Sequence, residues 1–249
     1  MNEALAWPQG YSLRRYAEID STNDEARRLA SAGEAGPLWL AAERQTKGRG
    51  RRGREWQSPA GNLFTTLLMR PRMPIAQCAE LSFVAALAVA GLVGRYAPGA
   101  EVKVKWPNDV LADGNKIAGI LLESASNNGD RPDWLALGFG LNLVSHPVDA
   151  GFPATSVAAL GASAPSAGDA LTCLAAMWAR WYGLWVEQGF GPIRESWLAR
   201  AARLGSRIRA RLANGETTGV FEGIDESGAL LLRETAERVR LISAGEVFF

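Results

Sequence analysis

Apolar positions along this chain change their spacing several times, and each change predicts an element. Ser21-Thr22-Asn23-Asp24-Glu25 opens an amphipathic stretch that runs to about Ala32 and stops at Gly33. A serine or threonine followed three residues later by an acid marks a helix start, so Ser21 with Asp24, or Thr22 with Glu25, predicts the cap. Leu38 to Ala42 and Asn62 to Met69 predict strands, and Glu80 to Tyr96, apolar all round, predicts a buried helix. Val102 to Leu111 and Lys116 to Glu123 predict two strands joined by Ala112-Asp113-Gly114-Asn115, since Asp-Gly accepts the positive φ of a tight turn. Trp134 to Leu143 predicts a further strand, and Asp169 to Gln188 and Ile193 to Leu204 predict helices. At about Gly205 the pattern becomes alternation at Ile208, Ala210 and Leu212, with turns at Asn214-Gly215 and Ser227-Gly228. Gly219 to Ile224, Leu230 to Leu232 and Val239 to Ile242 continue it. Short strands with frequent turns predict a small antiparallel barrel behind a larger body. That body mixes hairpins with helices, so the fold class is α+β with a mixed or antiparallel sheet, not a doubly wound one.

Composition narrows the function. The chain has 249 residues, 47% of them hydrophobic, enough for a full core. A net charge of +1 argues against a general nucleic-acid binder. The longest apolar stretch, Leu81 to Val93, falls short of the roughly 20 residues that cross a bilayer, so no membrane partner is expected. Met1 to Gly10 lacks a basic segment followed by an apolar one, so no secretory signal is expected. Cys78 and Cys173 sit in apolar helical surroundings, which suits a reducing cytoplasm. The single histidine, His146, stands beside Pro147 and reads as structural or solvated. A zinc site of histidines and cysteines is thereby excluded, and a Ser-His-Asp triad would rest on that residue alone.

The candidate chemistry lies in two runs. Gly48-Arg49-Gly50-Arg51-Arg52-Gly53-Arg54 places cationic forks on a backbone that glycine lets fold around a polyanion. Repulsion among its arginines predicts a loop that orders as a lid over an anionic ligand. Lys105-Trp106-Pro107-Asn108-Asp109 sets a lysine and an aspartate on either side of a proline-held bend. The chain has only four lysines (Lys47, Lys103, Lys105 and Lys116) among 27 basic residues, and the last three cluster. A lysine retained in so arginine-rich a chain indicates a place for a compact, mobile ammonium. Together these features ask for a ligand carrying phosphates, with a metal ion. Gly48, Gly50 and Gly53 also match the dinucleotide fingerprint, but Arg54-Glu55-Trp56-Gln57-Ser58-Pro59 cannot open the required helix.

In order along the chain stand Ser21-Thr22-Asn23, Gln45, the Arg-Gly run ending at Trp56, Lys105 to Asp109, Lys116-Ile117-Ala118-Gly119-Ile120-Leu121-Leu122-Glu123 and Gly138-Phe139-Gly140-Leu141-Asn142. This combination closely resembles the biotin protein ligases (biotin–acetyl-CoA-carboxylase ligases). It extends from about Tyr11 into Gly223-Ile224-Asp225 and Gly228-Ala229-Leu230. The resemblance implies a catalytic domain over residues 1–203, related to class II aminoacyl-tRNA synthetases and lipoate ligases, and an SH3-like β-barrel over 204–249. Bifunctional members carry a winged helix-turn-helix before the Ser-Thr-Asn motif. Only twenty residues precede it here, which predicts the short monofunctional class and no DNA partner. Glu55 departs from the family in standing where many relatives have a basic residue.

The resemblance also implies the reaction. Biotin and ATP give biotinyl-5′-AMP with Mg²⁺, and biotin passes to a lysine of the biotin carboxyl carrier protein of a biotin-dependent carboxylase. Lys116 is the expected cation between biotin's carboxylate and the α-phosphate, with Arg51 the second catalytic residue. Arg49 and Arg51 are expected to clamp carboxylate and phosphates, with Gly50 allowing close approach; Arg52 and Arg54 are solvated or closing contacts. Lys105, Asn108 and Asp109 belong to the ATP side, Asp109 holding Mg²⁺ or orienting Lys116. Asn142 is expected near phosphate or metal, and Trp56 against adenine. Ser21, Thr22, Asn23 and Gln45 are expected to read the ureido ring. A homodimer is compatible with the sequence. The alternatives are a lipoate or octanoate ligase of the same fold, and a nucleic-acid module using Arg203, Arg207, Arg209 and Arg211. A solvated strand face explains those arginines more simply.

Overall fold

The computed structural model describes residues 5–126, 129–149 and 151–249; the first four residues of the segment read as lacking a signal lie outside the described residues. Among the described residues twelve strands form two sheets. The larger sheet contains β1 (Ser12–Ile19), β2 (Leu38–Gln45), β3 (Leu63–Met69), β4 (Val102–Lys105), β5 (Asp109–Ala112), β6 (Asn115–Ala125) and β7 (Trp134–Leu141). Their spatial order is β1-β2-β3-β7-β6-β5-β4. β1 runs parallel to β2 while every other neighbouring pair is antiparallel, so the sheet is mixed. Helix α1 (Thr22–Ser31) is the crossover between the parallel pair, a β-α-β unit that ends before the Arg-Gly loop begins.

The sheet separates two layers. Along β2, Leu38 and Leu40 pack with Ala26 and Ala30 of α1, while Trp39 points into the main core on the opposite face. That core is covered by α3 (Leu81–Tyr96) and α4 (Ala167–Gln188). The short α2 (Ile75–Cys78) precedes α3, and together they are long and apolar enough to span a bilayer by composition, but most of that stretch is buried inside the protein. α1 is capped by Ser21, whose side chain accepts from the Asp24 backbone N–H, so the first of the two predicted caps forms.

Two predicted elements differ, and one strand was not predicted. Val102 to Leu111 is two strands, because Pro107 has no N–H for a ladder and the chain turns there, pairing Lys105 with Asp109 across a hairpin. The last helix of this body, α5, runs over Phe190–Leu198, not Ile193 to Leu204. α4 ends at Gly189 (φ 74°), α5 starts at once to bury Phe190, Ile193 and Trp197, and the chain beyond pairs with the β4 edge through Val104 N–H to Arg200 and Ala202 N–H to Val104. β1 has no counterpart in the apolar pattern, because it is an exposed edge strand.

The second sheet holds β8 (Arg207–Leu212), β9 (Gly215–Ile224), β10 (Leu230–Thr235), β11 (Arg238–Ile242) and β12 (Glu246–Phe248), antiparallel throughout in the order β11-β10-β9-β8-β12. It shares one apolar core with the body: Ile208, Phe221 and Leu230 belong to the same cluster as Phe83 and Trp197. At the junction the Trp106 indole N–H donates to the Gly228 carbonyl at 3.0 Å, buried. Trp106→Phe removes the N–H and half of the indole, leaves that carbonyl unpaired beside a small cavity, and is expected to cost at least about 1–2 kcal/mol in denaturant unfolding. An unchanged midpoint would show that the bond contributes nothing to docking of the module.

Candidate active site

Every residue the sequence nominated lines one cavity of about 340 Å³ over the strand ends of β6 and β7: Ser21, Thr22, Asn23, Gln45, Arg49, Gly50, Arg51, Trp56, Lys105, Asn108, Asp109, Lys116 and Asn142. The cavity has two unlike ends.

One end is neutral and polar. Ser21, Thr22 and Asn23, at the start of α1, are buried against β3 and β7. Gln45 closes β2, and its Oε1 accepts from the Thr22 backbone N–H at 2.8 Å. Gln45 Nε2 donates to Ser58 Oγ at 3.0 Å, and Ser58 in turn donates to the Trp56 carbonyl. Asn23 fits because position 138 is glycine: a Cβ there would lie 2.0 Å from Asn23 Oδ1. Gly140 likewise makes room for the Trp56 ring, since its Cβ would meet Cε2 at 2.4 Å.

The other end is cationic. Lys116 Nζ lies 2.7 Å from Asp109 Oδ1, with both side chains largely shielded. The Lys116 ammonium also stands 4.9 Å from the Phe152 ring and 5.4 Å from Trp56. Lys105 is held 4.9 Å from the Phe249 ring, and burial pushes its pKa down while Asp109 opposes the shift. Arg51 Nη1 reaches Asn108 Oδ1 at 3.3 Å and the Gly245 carbonyl at 3.4 Å. Burial lowers the Arg51 pKa, Arg52 adds to the effect, and Asp109 and Glu246 oppose it. On both cations burial outweighs the nearby carboxylates, and a buried cation so placed favours an anionic partner.

The arginines of the loop divide. Arg49 donates to both Asp24 oxygens and to both Glu123 oxygens, at 2.9–3.2 Å. Its guanidinium is paired twice and fastens the loop to α1 and β6. Arg54 and, at 4.0 Å, Arg52 pair with Glu246 from the second sheet. These carboxylates offset part of the mutual repulsion that the sequence predicted for the loop. Gly50 is different again: a Cβ there would meet only the Arg54 carbonyl, at 3.6 Å, so the surrounding protein does not demand glycine.

Asn108 is bonded on both sides, donating to the Ile120 carbonyl at 2.6 Å and accepting from Arg51. Asn142 donates to the Thr155 carbonyl at 2.9 Å, tying the cavity wall to the segment after it. Asp109 faces an ammonium, and among the described residues no group of three acidic, histidine or cysteine side chains forms a metal seat. His146 contacts Ser156 Oγ at 3.2 Å, in keeping with a structural role. Sequence reasoning missed Phe152 and Glu246, and gave Glu123 no role beyond the motif it ends. Phe152 sits in a loop without periodic signal, and the two glutamates act through contacts distant in sequence.

Over residues 16–142 the chain matches the Biotin/lipoate A/B protein ligase family, and over residues 204–249 the Biotin protein ligase C terminal domain. It is 49% identical over 240 residues to a biotin–[acetyl-CoA-carboxylase] ligase of Paracoccus denitrificans, covering 94% of this chain and 98% of that protein. A biotin–[acetyl-CoA-carboxylase] ligase of Mycobacterium tuberculosis is 36% identical over 241 residues, 93% of this chain and 86% of that one. Among solved structures, a biotin protein ligase from Aquifex aeolicus in complex with biotin and ATP matches with a TM-score of 0.80 and 28% identity, covering 95% of this chain and 97% of that one.

The double pairing of Arg49 has a direct test. Replacing both partners, Asp24→Asn with Glu123→Gln, is expected to speed trypsin cleavage of the native protein within residues 48–54 severalfold. An unchanged rate would mean that the loop is held by something else.

Proposed function

The chain belongs to the biotin/lipoate A/B protein ligase family, and we propose that its two-ended cavity joins biotin to ATP before the biotinyl group leaves for a carrier lysine. It is an ATP-dependent, AMP-forming biotin–[acetyl-CoA-carboxylase] ligase. A biotin carboxylate oxygen attacks the α-phosphorus and pyrophosphate departs; a lysine amine then attacks the carbonyl of the mixed anhydride and AMP departs. Neither step needs a protein nucleophile. The first brings two anions together, so the protein's contribution is position and fixed positive charge.

The observation that carries this reading is the contrast within one cavity: buried neutral polar groups at one end and incompletely compensated cations at the other. Biotin has that contrast, a ureido ring with two N–H donors and one acceptor at one end and a carboxylate at the other. We assign the ring to Ser21, Thr22, Asn23 and Gln45, and the carboxylate and α-phosphate to Lys116, aimed by Asp109. Arg51 and Lys105 face the remaining phosphates, with Asn108 holding Arg51 and Asn142 shaping the wall. Gly50 lets the loop backbone approach the ligand. For adenine, Phe152 is the better aromatic face. It is partly exposed beside Lys116, whereas Trp56 lies against the sheet over Gly119 and Gly140. Mg²⁺ fits as a companion of the triphosphate, held by phosphate oxygens and water, because the described residues supply no cage for it. The acceptor is the biotin carboxyl carrier protein. A cytoplasmic setting agrees with two free, buried cysteines. A lipoate or octanoate ligase fits less well, since neither acyl chain offers N–H donors to the buried polar end.

ATP–pyrophosphate exchange with biotin, lipoate and octanoate side by side tests the proposal. Exchange is expected with biotin and Mg²⁺ only, and equal exchange with lipoate would overturn the assignment. In the same assay Lys116→Ala is expected to lose more than about tenfold, or 1.4 kcal/mol of transition-state stabilisation. A smaller loss would make Lys116 peripheral.

A further inference from the structure

We propose that Thr66, which does not line the cavity, is a positioning residue: it sets the direction of the hydrogen bonds in the polar end and makes the Thr22 hydroxyl an acceptor for a ligand N–H. The inference rests on the biotin reading above and deepens it. Thr66 lies on β3 and is fully buried. Its Oγ stands 2.6 Å from Asn23 Oδ1 and 2.8 Å from Thr22 Oγ.

The direction follows by elimination. Asn23 Nδ2 faces two acceptors, Glu123 Oε2 at 2.8 Å and the Leu121 carbonyl at 3.4 Å, so its amide has one orientation and Oδ1 points at Thr66. An amide oxygen only accepts, so the single Thr66 hydroxyl hydrogen is used there. Towards Thr22, Thr66 then has only lone pairs, and Thr22 has to donate. The rival partner for the Thr22 hydrogen, Gln45 Oε1, is farther at 3.1 Å and already accepts from the Thr22 backbone N–H. With its hydrogen turned inward to β3, the Thr22 oxygen keeps a lone pair for the cavity. Gln45 is fixed the other way: Nε2 donates one hydrogen to Ser58, leaving the second free. The buried end thus presents an acceptor at Thr22 and a donor at Gln45. That is the complement of a cyclic urea, whose N–H donates and whose carbonyl accepts.

A buried threonine that merely satisfied its neighbours would affect stability and leave ligand preference alone, so the test reads ligand preference. Biotin and desthiobiotin, which share the ureido ring, are titrated calorimetrically into wild-type, Thr66→Val and Thr66→Ser protein, and exchange kinetics are measured for ATP. Thr66→Val keeps the shape without the hydroxyl and is expected to weaken both ureido ligands by about tenfold. KM for ATP and kcat at saturating biotin are expected to change by less than about twofold. Thr66→Ser, which keeps the hydroxyl, is expected to bind near wild type. Should the valine variant not fold, Thr66→Ala carries the same expectations. Unchanged biotin binding in the hydroxyl-less variant, an equal rise in KM for ATP, or failure of serine to rescue would each overturn the proposal. Wild-type protein that binds neither ureido ligand would overturn the biotin reading itself, and this inference with it.

Discussion

At the neutral end of the cavity, Ser21, Thr22 and Asn23 are nearly buried polar side chains, and the fully buried Thr66 hydroxyl behind them joins Thr22 to Asn23. A buried polar group left unpaired costs about 1–3 kcal/mol, so these residues fix their neighbours' positions closely. Their chain of bonds runs from Glu123 on β6 through Asn23 and Thr66 to the Thr22 hydroxyl, and from the Thr22 backbone N–H on to Gln45, Ser58 and the Trp56 carbonyl. It ties the start of α1 to strands that are neighbours in the sheet but distant in sequence. It also reaches both ends of the Arg-Gly loop: Glu123 holds Arg49, and Ser58 holds the backbone at Trp56. The neutral polar end of the cavity is therefore coupled mechanically to the Arg-Gly loop.

Charge is distributed on the same principle. Arg49 is neutralised by Asp24 and Glu123 and works as a fastener, while Arg51, Lys105 and Lys116 face the cavity with fewer partners. Asp109 is the counterion beside Lys116. A guanidinium in that place would be wider and more rigid, which accounts for lysine surviving in so arginine-rich a chain. The C-terminal module takes part directly: Glu246 pairs with Arg54, and Phe249 packs against Lys105.

Much of this is legible in the sequence because it depends on local rules. Ser21 caps α1, Asp113-Gly114 turns between β5 and β6, and an all-apolar stretch becomes α3. The motif residues nominated for the site do meet in one cavity, since glycine-rich and Lys-Trp-Pro-Asn-Asp runs are rarely produced by packing alone. What escaped is non-local. β1 is an edge strand whose polar residues carry no apolar period. Nothing local in the sequence pairs Arg49 with Glu123, which the fold brings beside it. Thr66 reads as an ordinary strand threonine, and only the distances to Asn23 and Thr22 give it a role. Phe152 stands in an irregular loop where an aromatic residue has no sequence signal at all.

The central claim is that this cavity makes biotinyl-5′-AMP and delivers biotin to a carrier lysine. The most direct measurement is the intact mass of a purified biotin carboxyl carrier domain incubated with this protein, ATP, Mg²⁺ and an equimolar mixture of biotin and lipoate. The expected result is the addition of one biotinyl group, located by peptide mapping to a single lysine and absent when ATP is left out. An unmodified carrier domain, or one carrying a lipoyl group, would contradict the account.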